Sequence, residues 1–534
     1  MLRISAIALL LVVAASSAAQ TDTTDAGILG GVTMPKLLKA KHEFNENNMR
    51  GALILYREVL DVEPANDGAL YWTARCHYEL RSYDLAEEYL GKALTVNPKV
   101  ADDADFHYGR INHRLARLDK AIRYFERYLE TVPARSYEAE LTRTYIDQCN
   151  FAKEQMEHPV PVEITNMGRA INSRFDDYTP SITAKGDLML FTSRRSGRED
   201  SQIDEGGDYK FFEDIYYSEW LEDKQRWSSA YPADGEVNTP TYDAVLSVTP
   251  DGRRMYLYKN NRGSAGDIFI SSYDKHDQEW RTPERLDRPI NTSYFEGSVS
   301  VTADGEKLYF VSERPGGEGQ GDIYVAERKG EGWGNPQNLG KVINTIDDEK
   351  FVFIHPNGKT LYFASNGHAG MGSYDIYKTE FVNGQWGLPI NLGYPINTVN
   401  EESTFSLTSD NQTMFIAAEY EDTYGERDIY QINVSEYSLI SSGYDSNGFA
   451  TLECKVTLAD GSTASRVTVE ILPSYGERIL ATEKTDKNGV VRTSLPGNAT
   501  YRVRVQAKDG PVEESVRLDL KPTGETLEKI TIGI

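Results

Sequence analysis

A three-residue motif, Asp-Ile-aromatic, recurs at nearly constant spacing through the middle of the chain and constrains the fold more than any other feature. Its copies are Asp214-Ile215-Tyr216, Asp267-Ile268-Phe269, Asp322-Ile323-Tyr324, Asp375-Ile376-Tyr377 and Asp428-Ile429-Tyr430. Successive copies are 53, 55, 53 and 53 residues apart. A repeat of this length, filled with short alternating strands, is typical of a β-propeller. Residues present in every copy are expected to build the blades rather than to perform chemistry unique to one of them.

Each copy divides into four predicted strands, the content of one propeller blade. Residue pairs that tolerate tight turns join the first two strands, at Lys185-Gly186, Asp251-Gly252, Asp304-Gly305, Asn357-Gly358 and Asp410-Asn411. The fifth copy lacks a fourth strand, but the segment 166–173 matches the end of the other units. We therefore expect the N-terminal strand to close the last blade. The sequence predicts a five-bladed all-β propeller over residues 159–436, with the turn-then-Leu-Tyr-Phe pattern that resembles TolB-like (WD-related) repeats.

A second repeat, of 34 and 35 residues, precedes the propeller. A small residue, an alanine and a proline follow one another at intervals of twelve: Ala40, Ala52, Pro64; Ala74, Ala86, Pro98; Gly109, Ala121, Pro133. This pattern resembles the tetratricopeptide repeat, in which small residues let paired helices cross closely and proline follows the second helix. The resemblance implies an all-α solenoid over residues 35–158 with a groove for a peptide or helix. A rigid spacer is the alternative interpretation.

The C-terminal region predicts a small all-β sandwich. Alternating residues at 466–471, 490–493 and 501–505 are separated by Gly-containing turns, over residues 447–534 and after a linker at 437–446. The run Thr485–Gly489, followed by Leu495-Pro496-Gly497 and Tyr501, resembles a carboxypeptidase-regulatory-like domain. That resemblance implies a structural or adhesive module without an active site.

Composition and the N-terminal sequence limit the possible cellular locations and partners. Residues 1–19 read as a secretory signal, with Arg3, an apolar stretch and small residues at 17–19, followed by a linker at 20–34. No later apolar run reaches the ~20 residues of a membrane helix. A net charge of −25 argues against nucleic acid or anionic membrane as a partner. The three cysteines lie in separate segments without metal-like spacing, which predicts buried free thiols, with a disulfide as the alternative.

Acidic residues recur at fixed positions and are candidates for a partner-binding face. Five residues after each repeated asparagine stand Asp177, Asp243, Glu296, Glu349 and Glu402. Together with the aspartates of the triplets, they would place ten acids on one face, which could attract a cation or a basic partner. The alternative is that they accept hydrogen bonds from the backbone and from serine or arginine of adjacent loops. The arginines of the matching loops are Arg194, Arg262 and Arg314.

One loop departs from the repeat. Between Ser193 and Asp214 there are 21 positions, against 10 between Ser312 and Asp322. The additional residues, 197–212, are acidic, glycine-bearing and aromatic, and they include Asp204 and Tyr209. A non-repeated loop on the loop-rich face is the better functional candidate, with flexible decoration as the alternative.

The motifs of common enzymes are absent from the sequence. It holds no Gly-x-Ser-x-Gly, His-Glu-x-x-His or Gly-x-x-x-x-Gly-Lys-Ser/Thr motif. Five-bladed propellers can be glycosidases, but acid and base roles need carboxylates in unlike environments, and here the acids are equivalent by repeat. We expect no catalytic residue, no cofactor and no metal site. A glycan-binding or glycan-cleaving propeller is the alternative.

The order of these segments resembles a family of Bacteroidetes envelope proteins. In many members an OmpA-like peptidoglycan-binding domain follows, and some are associated with type IX secretion and outer-membrane tethering. Here the chain ends at Ile534 after the sandwich, so we expect at most indirect contact with peptidoglycan. The resemblance implies a non-catalytic scaffold in the periplasm or at the outer-membrane periphery of a Gram-negative bacterium. Its implied partners are outer-membrane or secretion proteins, without a membrane span of its own.

Overall fold

The computed structural model describes residues 30–183, 185–205, 207–249, 251–260, 266–274, 276–441, 449–474, 479–496, 499–508, 510–518 and 527–534. The predicted signal peptide and Arg262 lie outside these residues. The chain divides into two compact units. One contains the helices up to Thr142 with the segments Ser196–Phe212 and Asn260–Gly266; the other contains Arg143–Arg195, Glu213–Lys259 and Asp267–Ile534.

The helical region is built of successive helix pairs. Its helices are α1 (Gly30–Asn45), α2 (Met49–Val62), α3 (Asp67–Glu79), α4 (Tyr83–Val96), α5 (Ala104–Arg114), α6 (Leu118–Leu129) and α7 (Tyr137–Glu157). Helix α1 begins at Gly30, so residues 30–34, predicted as part of a linker, are helical instead. The hydroxyl of Thr33 donates a hydrogen bond to Glu63 at 2.9 Å and fixes the start of α1 beside the end of α2.

Small side chains lie where the paired helices cross. All six repeated small residues are buried: Ala40, Ala52, Ala74, Ala86, Gly109 and Ala121. A Cβ added to Gly109 would lie 2.5 Å from the ring of Phe125, so even a methyl group does not fit between α5 and α6. Asn48 and Asn66 cap α2 and α3, since each side chain accepts a backbone hydrogen bond from the first turn. Each pair is thus set by residue size at its crossing, as the repeat predicted.

The propeller contains five antiparallel sheets arranged from an inner strand outward. Blade 1 holds β2 (Asp177–Ile182), β3 (Leu188–Ser193), β4 (Asp214–Leu221), β5 (Arg226–Trp227) and β6 (Tyr231–Pro232). Blade 2 holds β7 (Asp243–Val248), β8 (Arg254–Lys259), β9 (Asp267–Asp274), β10 (Glu279–Trp280) and β11 (Glu284–Arg285). Blade 3 holds β12 (Glu296–Val301), β13 (Lys307–Ser312), β14 (Asp322–Lys329), β15 (Gly332–Trp333) and β16 (Gln337–Asn338). Blade 4 holds β17 (Glu349–Ile354), β18 (Thr360–Ser365), β19 (Asp375–Val382), β20 (Gln385–Trp386) and β21 (Ile390–Asn391).

The fifth blade is closed by the strand that opens the domain. Its strands are β22 (Thr404–Leu407), β23 (Thr413–Ala418) and β24 (Asp428–Asn433), and β1 (Glu163–Asn166) forms the outer edge. Strand β1 runs antiparallel to β24, with Glu163 opposite Asn433 and Asn166 opposite Tyr430. The predicted blade number and the predicted closure are both confirmed.

The turns between the first two strands of each blade use the predicted residues. Their backbone lies in the left-handed region at Gly186, Gly252, Gly305, Gly358 and Asn411, with φ of 71°, 68°, 74°, 69° and 58°. Glycine and asparagine tolerate this conformation far better than other residues. The hairpin positions were therefore readable from local sequence alone.

The propeller core continues past its last predicted residue. Residues 437–446 were predicted as a linker, but a short helix, α8 (Ser438–Ser441), begins there. Tyr437, Leu439 and Ile440 are buried in the core cluster of blades 4 and 5. Their apolar surface gains more from this burial than from solvent exposure, so the boundary lies later than predicted.

The C-terminal domain is a sandwich of two sheets. Its strands are β25 (Phe449–Thr457), β26 (Thr468–Pro473), β27 (Ala481–Lys484), β28 (Val490–Pro496), β29 (Ala499–Ala507), β30 (Gly510–Leu518) and β31 (Leu527–Gly533). One sheet has the order β28-β25-β31, and the other has the order β27-β26-β29-β30. Leu388 of blade 4 packs against the sandwich core. The cysteines of the chain, Cys76, Cys149 and Cys454, are buried and free, as predicted.

Candidate functional site

The five repeated inner-strand acids are buried and do not form an open surface. Each accepts two hydrogen bonds from the serine or threonine four residues earlier, one from its backbone N–H and one from its hydroxyl. In blade 4 the two bonds from Thr345 to Glu349 measure 2.9 and 2.8 Å. The other pairs are Ser173–Asp177, Thr239–Asp243, Thr292–Glu296 and Thr398–Glu402. The carboxylates therefore hold the loop that leads into each inner strand.

The asparagine just before that hydroxyl residue binds the third strand of the preceding blade. The Oδ1 of Asn344 accepts a hydrogen bond from the N–H of Ile323 at 2.9 Å, and its Nδ2 donates to the carbonyl of Ile323 at 3.1 Å. The same two bonds occur at Asn172, Asn238, Asn291 and Asn397. The side-chain amide thus bonds the buried backbone N–H and carbonyl of one residue, as a neighbouring strand would. Sequence reasoning used this asparagine only as a repeat marker, although its constant distance from the acid was a signal of a shared role.

The acid, the hydroxyl residue and the asparagine lie where one blade meets the next, which we call the blade junction. A fourth polar residue completes each blade junction, and its identity changes from blade to blade. It donates to the carbonyl of the Ile or Val that precedes the asparagine, for example from Arg314 to Ile290 at 2.6 Å. The residues in this place are Arg195, Lys259, Arg314, His368 and Tyr420. Arg195 also binds Asp177 at 2.6 Å, and Arg314 lies 3.4 Å from Glu296. The junctions of blades 4 and 5 have an imidazole and a phenol where blades 1 and 3 have a guanidinium.

The predicted arginine partners of the acids need one correction. Arg314 takes the predicted place, but in blade 1 that place belongs to Arg195 and not to Arg194, whose side chain is buried. The third predicted arginine, Arg262, lies outside the described residues. Arg195 and Arg314 each follow the last serine of their strand by two residues, and this spacing was the signal that separated them from Arg194.

The aspartates that open the third strands are also buried, and they fix the loop that precedes them. The backbone N–H four residues earlier donates to Asp322, Asp375 and Asp428, each at 2.8 Å. Asp267 pairs with Arg285 at 2.6 Å. The expected display of ten acids on one face is therefore replaced by hydrogen bonding within the blades, which was the alternative interpretation.

Burial shifts the ionisation of several of these groups. It raises the pKa of Glu349 to about 7, although hydrogen bonds from Thr345 and Ser365 act in the opposite direction. It also raises the pKa of Asp177, where the Arg195 guanidinium opposes the shift. A low-dielectric site disfavours the charged form of a carboxyl group. Carboxylates equivalent by repeat therefore differ in their electrostatic environment.

The centre of the propeller is narrow. The innermost strands of the five blades enclose a cavity of about 50 Å³. Its lining, within the residues described, consists of apolar side chains and hydroxyls without a carboxylate. Small-molecule sites occupy about 300–1,000 Å³, and glycoside hydrolysis needs two carboxyl groups that flank the sugar. The cavity meets neither condition and has room for a few water molecules.

The long loop at 197–212 has an internal structure. Ile203 and Phe211 form an antiparallel bridge, and the N–H of Tyr209 donates to the carbonyl of Asp204 at 3.0 Å. Asp204 is buried and Tyr209 is half-buried. By its contacts the segment Ser196–Phe212 belongs to the unit that contains the helical repeats. The loop is therefore a folded element, and Asp204 offers little surface to a partner.

The helical repeats carry a groove of about 780 Å³. Residues of α3, α4, α5 and α6 line it, with Leu70, Leu94, Tyr108 and Tyr124 supplying apolar and aromatic surface. Gly91 of α4 lies in the groove, and a Cβ added there would lie 3.6 Å from the hydroxyl of Tyr108, an ordinary contact distance. The volume lies within the range of sites that hold ligands or short peptide segments.

Metal-ligand clusters and membrane-spanning helices are both absent from the described part of the chain. There, no three His, Cys, Asp or Glu side chains come together as metal ligands would. Nor does any helix of that part have the length and apolar character needed to cross a bilayer.

Comparison with known proteins identifies the helical region. The tetratricopeptide repeat family matches residues 37–99 and 78–136. The helical segment is a tetratricopeptide-repeat solenoid. Tetratricopeptide-repeat domains mediate protein–protein interactions. No curated protein matches the chain.

Solved structures resemble separate parts of the molecule. The first tetratricopeptide-repeat domain of human RPAP3 is 24% identical, with a TM-score of 0.21, and covers 23% of this chain and 94% of that domain. TolB from Acinetobacter baumannii is 14% identical, with a TM-score of 0.31, over 57% of this chain and 71% of that one. The α-L-arabinofuranosidase PaAbf62A from Podospora anserina, solved with cellotriose, is 15% identical, with a TM-score of 0.30, over 52% and 93%. At TM-scores this low we draw no functional conclusion from these likenesses.

Proposed function

We propose that this protein is a non-catalytic scaffold that binds other proteins in the cell envelope of a Gram-negative bacterium. The observation that carries the proposal is the contrast between two sets of residues. The repeated carboxylates of the propeller are used within the blades, whereas the helical repeats keep an open groove with an apolar and aromatic lining. A groove of this kind suits a peptide or helix of a partner, because apolar burial supplies affinity and the rim supplies polar contacts.

The finer form of the proposal concerns location and partners. We place the protein in the periplasm or at the outer-membrane periphery, with outer-membrane or type IX secretion components as partners. Support comes from the signal-like sequence of residues 1–19 and from the order of domains, which resembles that of Bacteroidetes envelope proteins. Contact with peptidoglycan would be indirect.

Glycan cleavage by the propeller is the alternative function. It requires two carboxyl groups that reach a bound sugar from unlike environments. The central cavity of about 50 Å³ and the burial of the five inner-strand acids favour the scaffold over this alternative.

A crosslinked pull-down from the native envelope, read by mass spectrometry, tests the scaffold. The wild-type chain should recover a defined set of outer-membrane or secretion proteins. Gly91→Trp should reduce this recovery at least tenfold, because the new side chain fills the groove beside Tyr108. Leu85→Trp is the control: it places the same side chain on α4 at an exposed position outside the groove and should leave recovery unchanged.

Two outcomes separate the parts of the proposal. Recovery of glycan alone, or of nothing above a control without the protein, contradicts the scaffold. Equal recovery by both tryptophan variants keeps the scaffold but moves the binding surface away from this groove. Circular dichroism at 222 nm verifies that both variants retain their helices.

A further inference from the structure

The outer rim of blade 1 carries a pair of tyrosines that the other blades lack. Tyr217 of β4 stands opposite Tyr231 of β6, and their rings are 6.0 Å apart. The corresponding cross-strand pairs are Ile270–Glu284, Val325–Gln337, Lys378–Ile390 and Gln431–Thr165. A residue pair that changes in every blade is not required by the blade architecture. The two tyrosines are therefore free to serve a function specific to this rim.

Blade 2 adds a third tyrosine to the same place. The end of blade 1 pairs with blade 2 through a bridge between Gly235 and Trp280. Trp280 in turn stands opposite Tyr273, with ring centroids 5.3 Å apart. Tyr231 and Tyr273 are 51% and 36% exposed. Both rings therefore have surface open to solvent, one on each side of the line where blades 1 and 2 meet, which we call the seam.

Carboxylates accompany these rings. The hydroxyl of Tyr217 donates to Asp234 at 3.5 Å, and Glu219 follows Tyr217 by two residues on the same face of β4. Burial, together with the charges of Asp234 and Glu219, raises the pKa of Tyr217 to about 12. Burial and the same two carboxylates also raise the pKa of Tyr273. The seam is thus both aromatic and acidic.

This combination fits a positively charged side chain. A guanidinium or ammonium group is attracted to the face of a tyrosine ring, and it forms charge-assisted hydrogen bonds with a carboxylate. The net charge of −25 adds long-range attraction for a basic partner. A neutral sugar also stacks on tyrosine and donates hydrogen bonds to carboxylates, but because it carries no charge it gains nothing from the long-range attraction.

We propose that the seam formed by Tyr217, Tyr231, Tyr273, Glu219 and Asp234 binds an arginine- or lysine-bearing segment of a partner protein. The inference rests on the scaffold function and adds a partner class and a second surface to it. The segment places one basic side chain between the exposed rings of Tyr231 and Tyr273. Asp234 and Glu219 accept its hydrogen bonds.

Binding of a labelled nona-arginine peptide to the full chain, followed by fluorescence anisotropy, tests this surface. Tyr231→Ala and Asp234→Asn should each weaken binding about threefold or more, as expected for the loss of one cation–π contact or one exposed ion pair. Tyr231→Phe should retain binding, because it keeps the ring face. Affinity should fall as salt rises, since the Debye length shrinks to ~8 Å at physiological ionic strength.

The matched control distinguishes this site from general attraction to an acidic protein. Glu284 occupies the register position of Tyr231 in blade 2, and Glu284→Gln removes one negative charge just as Asp234→Asn does. It should leave affinity unchanged. Equal weakening by both variants would overturn the proposal.

A second arm tests the competing ligand class. If cellohexaose binds the wild-type chain and not Tyr231→Ala, while peptide binding is the same in both, the tyrosines form a sugar platform and the proposal is wrong. The envelope pull-down is independent of this result. If Tyr231→Ala recovers the same proteins as the wild type, the scaffold stands through its helical groove and the seam does not contribute.

Discussion

The helical repeats and the propeller blades achieve regularity in different ways. Between helices, the repeated positions hold residues of similar size, such as Ala74 and Gly109, and the contacts are apolar. Between blades, the repeated positions hold residues of fixed chemistry, such as Asn344 with Thr345 and Glu349, and the contacts are buried hydrogen bonds. Apolar packing tolerates any side chain of suitable volume, whereas a buried donor or acceptor needs one particular partner. In this chain the helical repeats therefore conserve side-chain size, whereas the propeller repeats conserve hydrogen-bonding groups.

The largest expected effect comes from a change that preserves the branching of a side chain but removes its hydrogen-bonding groups. Asn344→Leu keeps the number and branching of the side-chain heavy atoms. It leaves the backbone N–H of Ile323 without its acceptor, and the Ile323 carbonyl keeps only the hydrogen bond from the N–H of Leu339. The unsatisfied N–H costs about 1–3 kcal/mol and the lost hydrogen bond to the carbonyl about 1 kcal/mol, so we expect a loss of about 3 kcal/mol in propeller stability. Leu90→Met, a change of similar size in the helical core, should cost less than about 1.5 kcal/mol.

Two spectroscopic signals allow each domain to be measured separately. Five of the six tryptophans lie in the propeller and one, Trp72, lies in α3, so tryptophan fluorescence reports mainly on the blades. Circular dichroism at 222 nm reports mainly on the helical repeats. Urea midpoints from the two signals give the two stabilities. If Asn344→Leu and Leu90→Met cost the same, the proposed difference between the two kinds of repeat does not exist.

The second prediction concerns pH and separates acids that look equivalent. The pKa of Glu349 is about 7 in the folded protein, above its usual ~4.3, so the folded state binds more protons than the unfolded state between these values. The stabilising effect of the protonated group is complete below pH ~4 and is lost as pH rises through 7. Relative to Glu349→Gln, the wild-type chain should lose about 2 kcal/mol of stability between pH 5 and pH 8.

Glu296→Gln provides the comparison for that experiment. Glu296 lies beside Arg314, and its removal leaves the guanidinium without its carboxylate, so this variant should be less stable than the wild type at both pH values. Urea midpoints followed by tryptophan fluorescence measure all three chains. If the difference in stability between the wild type and Glu349→Gln is the same at pH 5 and at pH 8, the raised pKa of Glu349 is contradicted.

The sequence was sufficient for the architecture because its signals are local. The turns at Gly305 and Gly358, the triplets and the 34-residue spacing each depend on a few neighbouring residues, and the closure by β1 follows from counting strands. The candidate site was harder to predict from the sequence. The raised pKa of Glu349 results mainly from burial, which no repeat pattern shows. Nor does a repeat pattern show that His368 binds the Ile343 carbonyl where blades 1 and 3 use an arginine.

The seam of tyrosines was missed for a related reason. Tyr217, Tyr231 and Tyr273 are separated in the chain and come together only through strand register and the bridge between Gly235 and Trp280. Domain boundaries were imprecise at α1 and α8, because burial of nearby apolar residues and the bond from Thr33 extend both elements beyond their repeat. Residues outside a repeat could be recognised only after the strands had been paired.

The third prediction tests size in the helical repeat. Gly109→Ala places a methyl group 2.5 Å from the buried ring of Phe125, so the ring or α5 must shift. Such overpacking costs about 1–3 kcal/mol and outweighs the ~1 kcal/mol that alanine gains over glycine in a helix. We expect a net loss of about 1 kcal/mol in the helical repeats, measured as a lower midpoint at 222 nm. A midpoint equal to that of the wild type would mean that the crossing of α5 and α6 has free space.

The smallest expected effect has the opposite sign and uses the same substitution in a neighbouring helix pair. Gly91→Ala places its methyl group 3.6 Å from the hydroxyl of Tyr108, an ordinary contact that displaces nothing. The gain in helix propensity then remains, because alanine restricts the unfolded chain more than glycine does. We expect stability to rise by about 0.5–1 kcal/mol in the same measurement at 222 nm. Since Gly91 and Gly109 both lie inside helices of one solenoid, opposite signs would show that available volume decides the outcome, whereas a loss at both positions would show that these helices need glycine for another reason.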